Sequence, residues 1–598
     1  METRNHRLTE LFDGNLVYIV PNYQRLYVWN EEEQWEPMWT DVQDIAESLL
    51  QGSAGRDTTH TVNRDDNTHF LGAVVFKGSG NTPDLARMYR VIDGQQWLTT
   101  LQILMAAAAT ALGTFGLESS AKNLRRLIGN PSGHQPLKIQ YQRHHRGHDY
   151  ERFPDVIRAA NQSDTEINFD SPMAECYQYF IQVIQKWLRA QGEQFSVAGT
   201  TLVDAIANRL RVVAIYLDPH EKEHAIFESL NARGEPLTEW DKIKNYLLYK
   251  ADDHHSLSQE SFFEKYLDRF DDPWWRELIG RGVRRPRVDV FVDYWLESQL
   301  GTPVAVRRVF REFQKYIEGV SDYLDKIMKQ LVKDAQYYMT AETLGAELRT
   351  RERLFHSRRM SIGSGAIWPL LLKIKSMDMA SQEEDACSVL LESYLVRRLI
   401  AGYQARSYDQ VSLDTISVLS NDVSSEAGPA DQIRKHLLSY SQYTTLWPDD
   451  EDTRSGVVER KLPNYAQRLV LDAIELRLIP TTAGIPVPLS GLHVEHLMPQ
   501  RWQNEAWPLP DHIDLEQAIE KREQAIRTLG NLTLLNGRLN ESISNSGWSV
   551  KRNGIEQSDN LFLNRRLLDE FDNEWTDASI RRRGKWMSSM VIQIWPRG

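Results

Sequence analysis

The sequence predicts a multidomain α+β protein that is predominantly helical. Its 598 residues exceed what one hydrophobic core usually serves, so several domains are expected. Runs typical of β-strands occur before residue 220 and again near residue 495, and apolar residues recur at helical spacing between them. Stretches rich in helix-breaking and charged residues then divide the chain into an N-terminal domain (1–250), a helical scaffold (251–420), an exposed linker (421–463) and a C-terminal domain (464–598).

The composition is that of a globular protein of a reducing cytoplasm. Hydrophobic residues make up 41% of the chain and charged residues 26%, which are ordinary values for folded domains. The longest apolar run, 104–112, is shorter than the ~20 residues that cross a bilayer, and the N-terminus has no hydrophobic signal core. Cys176 and Cys387 lie too far apart in sequence to form a metal-binding pair. We therefore expect a cytoplasmic location, no membrane partner and no cysteine-built zinc site.

The charge distribution bears on nucleic-acid binding. A net charge of −13 argues against non-specific coating of DNA, which depends on neutralising many phosphates. Local basic tracts nevertheless occur at 281–287 (RGVRRPR), 351–359 and 581–585 (RRRGK). Each tract is either a solvated surface or a local DNA contact, and the sequence leaves both interpretations open.

The first candidate site is a strand-to-helix junction. A strand-like run ends at Asp93, and the helical run LTTLQILMAAAATAL begins at Leu98. Backbone N–H groups at a helix start, beside a glycine that permits close approach, suit a phosphate or another anion. Asp93, Gly94, Gln95 and Gln96 are therefore candidate anion-binding residues. The alternative is that Asp93 simply caps the helix.

The second candidate site spans residues 492–552, which read LHVEHLMPQRW and, after an insert, LGNLTLLNGRLNESISNSGWSVKR. Hydrolysis of a phosphodiester needs a base for water and a cation for the charge on the leaving oxygen. His496 suits the base, because imidazole is largely neutral at pH 7. Glu495 and Asn540 offer hard oxygen ligands to a divalent cation such as Mg²⁺ or Mn²⁺. Asn531 would hold the His496 loop through side-chain-to-backbone bonds.

Adjacent residues on a strand point to opposite faces, so a twist or loop must bring the Glu495 carboxylate to a metal. Lys551 and Arg552 follow where a phosphate contact would be useful. The alternative interpretation is a structural His–Asn core pair without a metal. The joint occurrence of EHLMP, LGNL and a second asparagine nine residues after the first favours a ββα-metal nuclease.

These motifs resemble those of the GmrSD-type modification-dependent restriction endonucleases in their single-chain form. The N-terminal runs PNYQRLYVW, FLGAVVF, VIDGQQWLTTLQIL and FESLNARGEPLTEWDKIKNYLL are similar to the GmrS-like module, whose core is ParB/sulfiredoxin-like. The C-terminal EHLMPQ, LGNLTLLNGRLN and SNSGW are similar to the GmrD-like HNH module. The resemblance extends over most of the chain, and the phosphorothioate-sensing Ssp nucleases are relatives.

The resemblance implies an endonuclease or nickase of prokaryotic anti-phage defence. Its partners would be modified double-stranded DNA and a nucleotide such as GTP or ATP, and the chain could form a homodimer. Asp93, Gly94, Gln95 and Gln96 would then bind the nucleotide, and His496, Asn531 and Asn540 would form the catalytic site. The alternative function is a nucleotide-regulated DNA-binding protein with a vestigial HNH domain.

The sequence departs from the family pattern at Trp97, where an arginine usually follows Asp-Gly-Gln-Gln. NTP hydrolysis therefore stays open, with Arg25, Arg90 or Lys244 as substitute cations or Trp97 stacking on a base. For the sensed DNA, either phosphorothioate or a modified cytosine, Pro21 and Tyr23 could supply an apolar wall for sulfur. Gln24 and Arg25 would supply the hydrogen-bond donors beside it.

Overall fold

In a computed structural model of the chain, the described residues are 1–21, 24, 26–54, 68–81, 87–130, 137–142, 149–160, 171–218, 237–253, 258–280, 282–319, 324–343, 351–404, 406–421, 427–480, 491–503, 507–509, 514–537, 545–558, 560–571 and 574–598. They fall into two compact units. The first comprises Met1–Val290 and Arg307–Ser321, and the second comprises Phe291–Val306 and Asp322–Gly598. The assignment of separate roles to an N-terminal domain, a scaffold, a linker and a C-terminal domain stays a prediction.

The first unit is built on a six-stranded mixed sheet in the order β1-β6-β3-β4-β2-β5. Strands β4, β2 and β5 run parallel to one another, β3 is antiparallel to β4, β6 is parallel to β3, and β1 is antiparallel to β6. The strands are β1 (Glu2–Arg7), β2 (Leu16–Val20), β3 (His69–Asn81), β4 (Arg87–Asp93), β5 (Ile139–Tyr141) and β6 (Leu210–Leu217). Because β2, β4 and β5 are parallel, their carboxyl ends meet at one edge of the sheet.

Helices cover the sheet and complete the first unit. They are α1 (Leu8–Leu11), α2 (Glu36–Ala54), α3 (Gln95–Thr114), α4 (Glu118–Ile128), α5 (Asp149–Ala159), α6 (Pro172–Ala190), α7 (Phe195–Asp204), α8 (Glu239–Asp253), α9 (Gln259–Phe262), α10 (Pro273–Arg276), α11 (Arg287–Leu300) and α12 (Val309–Gly319). Helix α11 begins in the first unit and ends in the second. A two-stranded hairpin, β7 (Leu278–Ile279) and β8 (Arg285–Pro286), lies between α10 and α11.

Helix α3 forms the centre of the main hydrophobic core. Its alanine-rich sequence lets neighbouring helices approach closely, and residues from Leu98 to Leu112 are almost all buried. Among the described residues, α3 is long and apolar enough to cross a membrane by length and composition alone. Since 78% of the apolar window is buried inside the protein, the helix has the character of a core helix.

The second unit is mostly helical and carries one short hairpin, β9 (Leu492–His496) and β10 (Leu532–Asn536). Its helices are α13 (Leu324–Thr343), α14 (Arg351–Ile362), α15 (Trp368–Ser376), α16 (Ser381–Ala401), α17 (Tyr408–Asn421), α18 (Pro429–Ser439), α19 (Asp450–Glu459), α20 (Asn464–Leu478), α21 (Leu515–Ile526), α22 (Trp548–Ser558), α23 (Phe562–Glu570) and α24 (Asp577–Ile594). The predicted multidomain, predominantly helical α+β class is therefore confirmed.

The region predicted as an exposed linker, 421–463, differs from that expectation. Its described residues, 427–463, include helices α18 and α19, and Leu437, Trp447 and Val457 are fully buried. Arg397 of α16 is also buried and donates to the Pro448 carbonyl and the Asp450 carboxylate. Prolines and charges that suggested exposure here begin and cap helices, as Asp449 does by accepting from the Asp452 N–H.

Candidate functional site

The C-terminal candidate residues lie on the β9–β10 hairpin. Glu495 pairs with Thr533 and His496 with Leu532 in the antiparallel register. Because both candidates belong to strand β9, their side chains leave the hairpin on opposite faces, as the sequence predicts.

His496 is half-buried at the end of β9. Burial, together with the smaller effect of the nearby cations Lys551 and Lys461, lowers its pKa to about 4. The imidazole is therefore neutral at pH 7 and has a lone pair for a proton. Its Nε2 lies 3.2 Å from Nε2 of Gln500, the nearest polar side chain in hydrogen-bond range.

Lys551 of helix α22 connects the two neighbouring residues of β9. Its side chain is 0% exposed, and its Nζ lies 3.5 Å from Oε1 of Glu495. The same Nζ donates a hydrogen bond of 2.6 Å to the backbone oxygen of His496. The expectation of a phosphate contact at Lys551 is wrong, because a buried ammonium that is paired within the fold does not reach a ligand. Arg552 instead donates to Glu556 one helical turn away, at 3.1 Å.

Asn531 is a buried support for the His496 loop. It lies in the 3₁₀ turn Leu529–Asn531 and is 0% exposed. Its Oδ1 accepts from the backbone N–H of Met498 at 2.8 Å and from the indole N–H of Trp575 at 3.0 Å. Its Nδ2 donates to the carbonyls of Met498 at 2.8 Å and Ile526 at 3.0 Å. The predicted side-chain-to-backbone bonds are therefore present, and the amide has no capacity left for a ligand.

The N-terminal candidate residues meet at the sheet edge where β2, β4 and β5 end. Gln142 N–H, just after β5, donates to the carbonyl of Val20 at 3.1 Å, and Pro21 follows directly on β2. Gln24 donates from Nε2 to the carbonyls of Val91, at 3.3 Å, and Ile92, at 2.8 Å, on β4. The two motifs that the sequence separates by some 70 residues thus lie side by side.

Gly94 makes the turn from β4 into α3 and has two reasons to be glycine. Its φ of +91° lies in the left-handed region, and a Cβ there would approach Cγ1 of Val74 to 2.5 Å. Asp93 accepts from the Gly94 N–H at 2.8 Å, whereas Gly94 itself is the residue that precedes α3. Asp93 therefore shapes the turn, and the N-cap position itself belongs to Gly94.

The two glutamines of the motif have different roles. Gln96 accepts from the Val28 N–H at 3.1 Å and donates to the Leu26 carbonyl at 3.0 Å, so it anchors the segment after β2. Gln95 is 3% exposed, and neither its Oε1 nor its Nε2 forms a hydrogen bond with a described residue. Its amide lies beside the Tyr141 hydroxyl without reaching hydrogen-bond geometry. A buried amide without partners indicates a place where a ligand or water would bind.

Trp97 and Lys244, one of the predicted substitute cations, do not form a phosphate clamp. The Trp97 ring packs edge-on against Trp29, with centroids 4.8 Å apart, and its indole nitrogen lies against Gly72 of β3. Lys244 is fully buried and pairs with Asp271, with Nζ 3.4 Å from Oδ1, so it does not replace the missing arginine. Tyr23 and Arg25 lie outside the described residues, while Pro21 is buried. Gln24, predicted as a donor to DNA, has already used both amide hydrogens on β4.

The prominent cleft of the first unit lies beside this edge and is acidic. It has a volume of about 970 Å³, and its aromatic floor is Trp35 and Tyr179. Its carboxylates are Glu31, Glu32, Glu33, Glu36 and Glu175. This charge repels phosphates, so the cleft is not the predicted nucleotide or DNA site.

Comparison with known families covers both candidate sites. Residues 8–248 match the family described as the GmrSD restriction endonuclease N-terminal domain, and residues 434–590 match the GmrSD restriction endonuclease C-terminal domain. These matches extend over more than half of the chain. The chain belongs to the GmrSD restriction endonuclease family. No curated protein sequence matches it.

The GmrSD C-terminal match contains supporting residues that sequence reasoning missed. Arg583, within the RRRGK tract taken for a basic patch, is 2% exposed and donates to the carbonyls of Gly530 at 3.0 Å and Leu532 at 2.6 Å. Burial lowers its pKa to about 9. Trp575 stacks on Trp548 of α22, with ring centroids 5.2 Å apart, and donates to Asn531. Only helical spacing from the apolar positions of α24 could have indicated that Arg583 points inward.

The chemistry of the donors on this hairpin is compatible with the divalent cation expected from the sequence. The Glu495 carboxylate, 18% exposed, is a hard oxygen ligand, and so is the amide oxygen of Asn540, which lies outside the described residues. Among the described residues, no three His, Cys, Asp or Glu side chains converge on a common point.

Proposed function

We propose that this GmrSD chain is an HNH-type, metal-dependent DNA endonuclease or nickase that acts on modified DNA in prokaryotic anti-phage defence. One observation carries the proposal. A neutral imidazole, that of His496, follows a partly exposed carboxylate, that of Glu495, on a hairpin whose loop is fixed by the buried Asn531. A base and a hard oxygen ligand held by a rigid support are what phosphodiester hydrolysis requires.

In this proposal His496 takes the proton from the attacking water, because its lone pair is available at pH 7. Asn531 holds the loop after His496, so that the ring keeps its position during the reaction. Glu495 and Asn540 would hold Mg²⁺ or Mn²⁺, which when bound supplies positive charge for the leaving oxygen. Lys551 fixes the Glu495 carboxylate relative to the His496 backbone.

The sheet edge of the first unit is the proposed sensor, with a ParB/sulfiredoxin-like core. A nucleotide, GTP or ATP, would bind at Asp93, Gly94 and Gln95, where the backbone turns into α3 and the Gln95 amide lacks partners. Modified double-stranded DNA, carrying phosphorothioate or a modified cytosine, would be read by the adjacent segment 21–25, through Tyr23 and Arg25, because Gln24 has used both amide hydrogens on β4. Gln96 bonds Leu26 and Val28 and so holds the residues that follow that segment. We also propose that the protein is cytoplasmic and forms a homodimer.

A second candidate function is a regulatory DNA-binding protein with a vestigial nuclease domain. The observation in its favour is the Lys551 ammonium, which already pairs with the carboxylate that a metal would use. The two functions differ in whether the intact chain cleaves DNA.

The test compares plasmids carrying phosphorothioate, methylated or glucosylated cytosine with unmodified plasmid, in Mg²⁺ or Mn²⁺, with and without GTP or ATP. We expect cleavage of one modified plasmid, and a loss of about 10²–10⁴-fold in His496→Ala, the size of a general base contribution. Duplex binding and thermal unfolding of that variant should stay unchanged. Cleavage by His496→Ala at the original rate would rule out the assigned site, and no cleavage of any plasmid by the unsubstituted chain would favour the regulatory function.

A further inference from the structure

A short hairpin in the first unit consists of β7, β8 and the turn between them. Its turn carries an exposed apolar side chain that is surrounded in the sequence by arginines. Val283 in the turn is 86% exposed, the largest exposed fraction among the exposed large hydrophobic side chains of the described residues. Leu278 at the start of β7 is 55% exposed. Exposed apolar residues are common singly on protein surfaces, so it is the arginines around Val283 that distinguish this hairpin.

The base of this hairpin is held by several contacts of Arg287. Arg287 donates from its backbone N–H to the Glu277 carbonyl at 2.9 Å and pairs with the Glu277 carboxylate through its guanidinium. Its Nε donates to the Trp274 carbonyl at 3.2 Å, and the guanidinium lies 4.2 Å from the centroid of a Trp274 ring. The turn itself contains Gly280 and Gly282, both with positive φ, which allow the chain to reverse tightly.

The charge of the hairpin is opposite to that of the chain. Arg284, next to Val283, is exposed and makes no ion pair with any described residue. Arg285 follows on β8, and its Nη2 donates to the Asp289 carbonyl at 3.4 Å. A chain with a net charge of −13 thus concentrates cations beside one exposed apolar side chain.

We infer that this hairpin is a contact for duplex DNA, with Arg284 on a backbone phosphate and Val283 against base edges in a groove. A two-stranded ribbon fits the major groove, phosphate contacts come mainly from arginine and lysine, and apolar side chains contact base edges or wedge between steps. The inference rests on the proposed function, because it supplies a sequence-independent contact for the DNA that the nuclease site would cut. An acidic protein surface, such as the cleft of a second copy, is the alternative occupant.

The test is fluorescence anisotropy of a labelled, unmodified DNA duplex with the full chain, titrated over a range of salt concentrations in EDTA so that no cleavage occurs. We expect Arg284→Ala to weaken binding about 3- to 10-fold at low salt and to reduce the salt slope of the affinity by about 1, as removal of one phosphate contact does. Val283→Ser should weaken binding without changing the slope, because it removes no charge. The control is Arg189→Ala, an exposed arginine at the end of α6 in the same unit, which should bind as the unsubstituted chain does.

Unchanged affinity and slope in both hairpin variants would overturn the inference, as would absence of duplex binding by the unsubstituted chain. A change in sedimentation of Val283→Ser or Arg284→Ala, with DNA binding unaltered, would assign the hairpin to a contact between copies and would equally overturn it. The nuclease proposal is tested separately, since His496→Ala changes cleavage whether or not the hairpin binds DNA.

Discussion

The two candidate sites use the same device, a buried amide that holds a loop, but they leave different groups available to a ligand. At the C-terminal hairpin, Asn531 uses its whole amide on the fold, while Glu495 and His496 stay partly exposed. At the sheet edge, Gln96 is used in the same way, and Gln95 is the buried amide without a bonded partner. Residue type alone therefore does not separate a ligand-binding amide from a supporting one; burial and hydrogen-bond partners do.

The two sites also differ in whether a titratable side chain holds the loop. The segment after β2 is held by Gln96 at residues 26 and 28 and by Asp149, whose Oδ2 accepts from the Tyr27 N–H at 2.8 Å. Burial raises the pKa of Asp149 to about 7, with the Tyr27 hydrogen bond opposing that shift. The His496 loop is instead held by the uncharged Asn531 and Trp575. The first support therefore contains a carboxyl that titrates near neutral pH, whereas the amide of Asn531 and the indole of Trp575 do not titrate.

The largest effect is expected at the uncharged support. Asn531→Ala leaves the Met498 N–H, two carbonyls and the Trp575 indole N–H buried without partners, which costs about 3 kcal/mol or more of stability. Because displacement of a catalytic group by about 1 Å reduces rates about 10²-fold, cleavage should fall by at least that factor even below the melting temperature of the variant.

Thermal unfolding and plasmid cleavage at low temperature check this prediction. Gln524→Ala is the control, because Gln524 is an exposed amide on α21 of the same unit and bonds Glu520 of its own helix. Full activity of Asn531→Ala would show that Asn531 is unnecessary for positioning His496.

A smaller loss of activity is expected at Lys551. Lys551→Met keeps the length and apolar stem of the side chain but removes the contacts with Glu495 and the His496 carbonyl. We expect cleavage to fall about 10-fold, while Lys551→Arg, which keeps the charge and donors, recovers part of it. Arg552→Met is the matched control on the next residue of α22, because Arg552 pairs along its own helix, with Glu556. Equal activity of Lys551→Met and Arg552→Met would show that the ammonium has no positioning role, and a higher activity of Lys551→Met would show that it competes with the metal.

These residues show what the sequence can and cannot predict. The strand carrying Glu495 and His496, the junction from Asp93 to Gln95 and the loop-holding bonds of Asn531 follow from local patterns, and the structure has each of them. The buried position of Lys551 and the inward orientation of Arg583 do not follow, because a lysine or arginine on a helix is usually exposed and only packing reveals the exception. The meeting of Gln24 with β4 depends on strand order, which no local pattern gives.

The comparison of Gln95 with Gln96 predicts an effect on binding in one case and on stability in the other. Gln95→Leu should leave thermal stability unchanged or raise it, because it replaces a buried amide without partners, but it should weaken nucleotide binding about 10-fold. Gln96→Leu should lower the free energy of unfolding by about 1–3 kcal/mol, because the Val28 N–H and Leu26 carbonyl lose their partner.

Isothermal titration calorimetry with GTP and ATP, together with thermal unfolding, separates the two variants. The outcome against the sensor assignment is equal nucleotide affinity in Gln95→Leu and the unsubstituted chain. The outcome against the supporting role of Gln96 is an unchanged melting temperature in Gln96→Leu.

The smallest functional effect is expected at Asp149, which tests the pH difference between the two supports. Since its folded pKa is raised from 3.8 to about 7, the folded protein holds a proton that the unfolded chain releases between these values. The stabilising contribution is therefore complete below about pH 4 and is lost as the pH rises through 7. Asp149→Asn keeps a carbonyl oxygen for the Tyr27 N–H but cannot ionise, so it should match the unsubstituted chain at and below about pH 4 and melt a few degrees higher at pH 8. Cleavage should change little, because Asp149 belongs to the support of the sensor edge and Asn531, which holds the nuclease loop, does not titrate. A melting temperature of Asp149→Asn that followed the unsubstituted chain at every pH would remove the pH contrast between the two supports, leaving burial and hydrogen-bond partners as their only difference.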